Sequence, residues 1–98
     1  MIIYEKENNG FYKVLTFITE KWKEGTISNL LFTLLYDNKN ITAKFDTMYE
    51  SDNGLEEDEK DYEEFNVILF EDQETKTLFE LTYNSMPKEI YCGELKIL

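Results

Sequence analysis

The sequence predicts a mainly β chain, a small antiparallel barrel or sandwich of about six short strands. Three observations carry this. Residues 41–49 and 77–83 alternate apolar and polar side chains, as half-buried strands do. Clusters of Asn, Asp, Ser, Gly and Pro break the chain at residues 8–10, 37–40 and 84–87, and a polar turn does so at 72–76. Between the clusters, Val, Ile, Thr, Tyr and Phe recur, the residues that fit a pleated surface. The alternative is α+β, with one helix in the first third at residues 11–24 or 26–35.

Ile2-Ile3-Tyr4 opens the chain as a strand, and Asn8-Asn9-Gly10 is a hairpin turn in which Asn and Gly tolerate positive φ. Residues 11–19, FYKVLTFIT, then read as its second strand, because β-branched and aromatic side chains lose rotamer freedom in a helix. The rival is a helix: Phe11, Leu15, Ile18 and Trp22 fall on one stripe, Asn9 stands where a cap would, and Gly25 comes after Lys21 and Lys23 as a stop. Residues 20–25 are a turn or a helical turn. Residues 26–37 are equally two-sided, since Ile27, Leu30, Leu31, Leu34 and Leu35 also fit a helical face. The turn cluster at 37–40 and the alternating run at 41–49 favour a strand at 30–36, paired across that turn. In the run 41–49, Ile41, Ala43, Phe45, Thr47 and Tyr49 share one side, and Thr42, Lys44, Asp46 and Met48 the other. Residues 64–71, EFNVILFE, are apolar on nearly both faces and belong in the middle of a sheet. They form a hairpin with 77–83, where Phe79, Leu81 and Tyr83 face in. Pro87 bars a ladder bond in the loop 84–87. Residues 90–98 close the fold as one strand, with Tyr91, Leu95 and Ile97 inward and Gly93 marking a bulge or a close backbone approach.

The chain has 98 residues and reads as one domain, 1–98, large enough to bury a core unaided. Seven Tyr and seven Phe argue against a disordered acidic chain. Only one cysteine is present, Cys92, so no internal disulfide can form and a reducing, cytoplasmic setting is expected. The opening MIIYEKENNG lacks the basic and apolar regions of a secretion signal. The longest apolar run is Val67–Phe70, too short to cross a membrane.

Catalysis has little to work with. There is no histidine, which removes the commonest general base and metal ligand. Cys92 lies on a core strand and is structural. Gly10, Gly25, Gly54 and Gly93 are scattered, so no loop cradles phosphate. Paired carboxylates are abundant but solvated, and solvated acids make poor general acids at neutral pH. A calcium loop fails on register: with Gly54 sixth, Tyr49 and Lys60 fill the two positions that most need oxygen ligands. No enzyme, no cofactor and no metal site is expected.

The dominant feature is the acidic loop, residues 50–64, ESDNGLEEDEKDYEE. It carries nine acids and one lysine, −8 of the chain's formal −11. That balance repels nucleic acid and anionic lipid alike, and with no arginine the chain lacks the bidentate phosphate fork. The plainest role for such a loop is a solvated connector that keeps a β protein soluble. The sharper role is a charge array that fills a basic groove meant for phosphates. Clustering of the charge favours it, as do Tyr49, Leu55, Tyr62 and Phe65 among the acids. Of these, Tyr49 and Phe65 are expected to anchor the loop ends to the core.

A small, acidic, cysteine-poor β domain without a catalytic kit is similar, as a class, to bacterial toxin-immunity proteins and phage-borne nuclease inhibitors. The Lys-, Asn- and Ile-rich usage suits an AT-rich bacterial or phage genome. The sequence therefore points to a non-enzymatic inhibitor or immunity protein, monomer or homodimer, that binds a basic protein, a nuclease or other nucleic-acid-binding protein. Its contact residues would be Glu50, Asp52, Glu56, Glu57, Asp58, Glu59, Asp61, Tyr62, Glu63 and Glu64, with Glu71, Asp72 and Glu74 extending the patch. The alternative is an accessory interaction domain that binds through its sheet, the loop serving solubility alone.

Overall fold

The structure is a computed structural model and describes residues 10–98. The strand at residues 2–4 and the capping role of Asn9 lie outside the described residues. The first described element is a helix, α1, Phe11–Glu24. It replaces the strand expected at 11–19 and matches the alternative. Gly10 (φ 82°) and Gly25 (φ 77°) bracket it, and the Gly25 and Thr26 N–H groups bond to the Trp22 and Lys21 carbonyls at 3.0 and 3.1 Å. Lys21 and Lys23 face the negative end of the helix dipole. The β-branched residues cost only tenths of a kcal/mol each in a helix. Burying Phe11, Val14 and Ile18 gains about 1.5–3 kcal/mol apiece. Packing wins by several-fold, so the stripe decides the structure.

After a 3-10 turn at Ile27–Asn29 come six strands: β1 Leu31–Leu35, β2 Asn40–Asp52, β3 Glu64–Asp72, β4 Leu78–Leu81, β5 Glu89–Cys92 and β6 Leu95–Lys96. They form one antiparallel sheet in the order β4-β3-β2-β1-β5-β6. The mainly β class and the strand number hold. The sheet is open, and the layer over its inner face is a helix rather than a second sheet. β1 to β4 are a meander. Residues 82–88 then return to β1's other side, burying Pro87 and packing Tyr83 and Met86 against the core, and the Lys88 N–H reaches the Leu35 carbonyl at 2.8 Å.

The core lies between α1 and the inner face: Phe11, Val14 and Ile18 meet Phe32, Leu34, Ala43, Ile68, Phe70, Leu81 and Ile90. An aromatic row runs through it. Phe17 meets Phe32 edge-on at 6.0 Å, Phe32 meets Phe70 at 5.4 Å, and Phe70 stacks on Phe79 at 5.8 Å.

Three registers differ from the sequence expectation. A bulge falls between Phe45 and Thr47, so Asp46 is the extra residue. One extra residue inverts the alternation. Phe45 and Met48 therefore pair with the inward Phe70 and Ile68, while Thr47 and Tyr49 turn to the outer face with Leu69 and Val67. The closing strand is two strands, because Gly93 (φ 62°) makes a tight turn rather than a bulge. Tyr91 pairs with Thr33 on the outer face and does not enter the core. β3 is interior, as expected, but second from the β4 edge.

β2 and β3 outrun their neighbours. β1 pairs with β2 only along Asn40–Lys44, and β4 pairs with β3 only along Ile68–Glu71. Beyond that, Tyr49–Asp52 and Glu64–Val67 pair with each other alone among the described strands. Among the described strands, these residues form a two-stranded ribbon at one end of the sheet.

Candidate partner-binding surface

The ribbon carries the acidic segment at its tip. The strands reach further into it than the sequence suggested: Glu50 and Asp52 end β2, Glu64 begins β3, and the loop proper is 53–63. This loop is built from turns. The Asp52 carboxylate accepts the Gly54 N–H at 2.8 Å, and the Asn53 side-chain oxygen accepts the Leu55 N–H at 3.3 Å. The Asn53 amide donates across the loop to the Asp61 carbonyl at 2.7 Å, and its backbone N–H to the Glu63 carbonyl at 3.2 Å. Glu59 and Tyr62 donate back to Glu56 and Glu59, closing two further turns. Gly54 sits at φ 87°, which the first turn requires.

Asp52, Glu56, Glu57, Asp58, Glu59 and Asp61 are exposed, as is Glu50, while Tyr62, Glu63 and Glu64 are half-buried. Burial raises the Tyr62 phenol above its usual range first, then a hydrogen bond to Glu64, then the charges of Glu64, Asp52 and Glu57. At the loop's base Phe65 meets Tyr83 edge-on at 6.0 Å, and the Tyr83 hydroxyl donates to Glu63 at 3.3 Å. Phe65 thus packs on Tyr83, which itself borders the core. Among the described residues, lysines pair with acids at Lys21–Glu24, Lys88–Asp37 and Lys96–Glu89.

Two expectations need correction. Glu71, Asp72 and Glu74 do not extend the patch. Asp72 pairs with Ala43 at the opposite end of β3, roughly 26 Å of strand from Glu64 at 3.3 Å per residue. There Asp72 accepts the Glu74 and Thr75 N–H groups and folds the β3–β4 turn. Nor does Tyr49 anchor to the core. It is 40% exposed on the outer face, where its hydroxyl hydrogen-bonds the Glu80 carboxylate of β4. That contact escaped the sequence because the bulge, which turns Tyr49 outward, has no signature in residue type.

Other chemistry is sparse. Among the described residues no group of three or more acids, cysteines or histidines is placed to hold a metal. Burial pushes the Cys92 thiol above its usual range, against a smaller opposing effect of Lys21. No described helix is long and apolar enough to cross a membrane. A shallow groove of about 500 Å³ runs between α1 and β6, lined by Tyr12, Thr16, Phe17, Leu95 and Ile97.

The described residues thus form a half-covered sheet that carries a charged ribbon. The family described as "Cognate immunity protein YxxD" matches residues 13–93, and the chain belongs to it. It is thus an immunity protein, of a kind whose partner is a cognate toxin. Neither the curated proteins nor the solved structures yield a match.

Proposed function

We propose that this immunity protein acts without catalysis, by placing its acidic ribbon tip on a basic surface of the toxin, where a nuclease or other nucleic-acid-binding toxin would bind phosphates. The observation that carries the reading is the ribbon. It lifts Glu50, Asp52, Glu56, Glu57, Asp58, Glu59, Asp61, Tyr62, Glu63 and Glu64 beyond the body of the sheet, within reach of a groove. Concentrated charge of one sign steers a basic partner and speeds its capture by about 10- to 1000-fold. Block is then steric and electrostatic. Action in the cytoplasm, as monomer or homodimer, fits the single cysteine.

The test replaces Glu56, Glu57, Asp58 and Glu59 with Ser and measures binding to the purified cognate toxin. Association should slow about tenfold or more at low salt, with folding retained. Unchanged association would overturn the reading. A second reading has its own support: Leu31, Tyr49 and Leu78 are exposed on the outer sheet face, 40–54% each. There the sheet would meet the toxin, and shortening residues 53–61 to a tight turn would leave binding intact.

A further inference from the structure

The two faces of α1 meet different surroundings. Phe11, Val14 and Ile18 are buried against the sheet. On the solvent face Tyr12, Thr16 and Glu20, each one turn apart, form a ridge with a hollow on either side. The hollow toward β6 holds about 500 Å³ and is lined by Lys13, Phe17, Leu95, Lys96 and Ile97. The other holds about 310 Å³ and is lined by Leu15, Thr19 and Lys23. Leu95 and Tyr12 are 57% and 51% exposed beside the larger one. A ridge between two grooves is the relief into which a second helix packs. An added strand has less to hold, because the sheet edge here, β6, is only two residues long.

Charge narrows the occupant. Lys13, Lys23 and Lys96 line the two hollows against one acid, Glu20, in a chain with 21 acids and 10 lysines. Lys96 also pairs with Glu89 at 3.1 Å, its side chain still 55% exposed. The face is therefore apolar ground with a basic rim on an acidic protein. A second copy does not complement it: α1 against α1 would set Lys13, Lys21 and Lys23 of one copy on those of the other, and like charges across a contact are costly. The family supplies another partner, a cognate toxin. We infer that the solvent face of α1, with β6, docks an amphipathic helix of the cognate toxin, whose apolar side chains fill the hollow over Phe17, Leu95 and Ile97 and whose acids meet Lys13 and Lys23. None of these residues belongs to the acidic ribbon. The inference stands apart from the ribbon-tip proposal, and two surfaces of opposite sign would fix the toxin's orientation.

The experiment measures the affinity of the whole chain for the purified cognate toxin. Leu95→Asp, at an exposed position, should weaken binding about tenfold or more. Lys13→Glu should weaken it comparably, and Lys13→Arg should bind as the wild type does. An acid at residue 13 lies in the first turn of α1, where the helix dipole favours it, so lost binding there is not lost fold. Urea midpoints at the wild-type value check this for both variants. Wild-type binding by Leu95→Asp and Lys13→Glu would overturn the inference. So would tighter binding by Lys13→Glu, which would give the face to a basic segment, or a loss in Leu95→Asp alone, which would deny the partner its acids. A wild-type dimer in sedimentation that Leu95→Asp dissolves, with toxin binding unchanged, would give the face to a second copy and overturn it too. The Ser replacement of Glu56, Glu57, Asp58 and Glu59 judges the ribbon separately. If that variant binds normally while Leu95→Asp and Lys13→Glu do not, the ribbon-tip proposal fails and the helix face stands. If it alone binds weakly, the helix face fails and the ribbon tip stands.

Discussion

Phe32 is the residue whose loss should cost the fold most. It is fully buried on β1, with Phe17 of α1 on one side and Phe70 of β3 on the other, at 6.0 and 5.4 Å. Replacing it with Ala removes its buried ring, leaves a cavity and breaks two edge-on contacts. Such truncations cost about 3–5 kcal/mol. A chain of this size has about 5–15 kcal/mol in total. The melting temperature should fall by roughly 12–40 °C, at about 4–8 °C per kcal/mol. Phe32→Leu refills most of the volume and should cost about 1.5 kcal/mol or less. Urea unfolding monitored by Trp22 fluorescence suits the question, because the indole meets Phe45 edge-on at 5.3 Å and reports docking of α1 on the sheet. The midpoint should drop with the slope unchanged. Leu55→Ala, at the exposed tip, is the control and should stay within about 0.5 kcal/mol. A Phe32→Ala loss no larger than that control would refute the packing described between α1 and the sheet.

Further predictions concern backbone and thiol. Gly10→Ala should destabilise by about 1–2 kcal/mol, since φ is 82° and the new Cβ would approach Leu98 Cδ1 to 2.2 Å; the urea midpoint measures it. Deleting Asp46 should remove the bulge and leave Phe45, Thr47 and Met48 opposite Phe70, Leu69 and Ile68 in an unbroken ladder, so contacts between Met48 and Ile68 should persist by NMR; their loss would contradict the register. Cys92 should react more slowly with thiol reagents in the folded than in the unfolded chain. Because its folded pKa is raised, the thiol's contribution to stability is complete below its ordinary value and declines as pH climbs toward the raised one. The Tyr49 phenol behaves with the same sign: its bond to Glu80 should hold at neutral pH and be lost as pH rises through its raised value, and Tyr49→Phe should delete that step from an absorbance titration.

Much of the fold was legible in the sequence. The turn clusters at 37–40 and 72–76 and the alternation at 77–83 placed two hairpins, and Gly25 marked the end of the helix that formed. What failed had physical causes. Residues 11–19 satisfy both periods, and local propensity, worth tenths of a kcal/mol, pointed to the strand. The deciding energy came from burial against a sheet not yet assembled. The bulge at Asp46 inverted the faces of Thr47, Met48 and Tyr49, and nothing in those side chains announces an unpaired residue. At the candidate site, the acids and Tyr62 were readable from charge clustering alone. Asp52, Asn53 and Gly54 are common turn formers, yet their bonds to Gly54, Leu55 and Asp61 depend on the register of two strands. The reach of Tyr49 to Glu80 links positions 31 residues apart, beyond any local pattern.

The most direct test of the central claim is the association rate with the cognate toxin across a salt series, for the wild-type chain and for one with residues 53–61 cut to a tight turn. The ribbon-tip account predicts fast association that falls about tenfold or more between low and physiological salt, and a slow, nearly salt-independent rate for the shortened chain. Equal rates for the two chains, flat with salt, would contradict it and give the toxin to the outer face of the sheet.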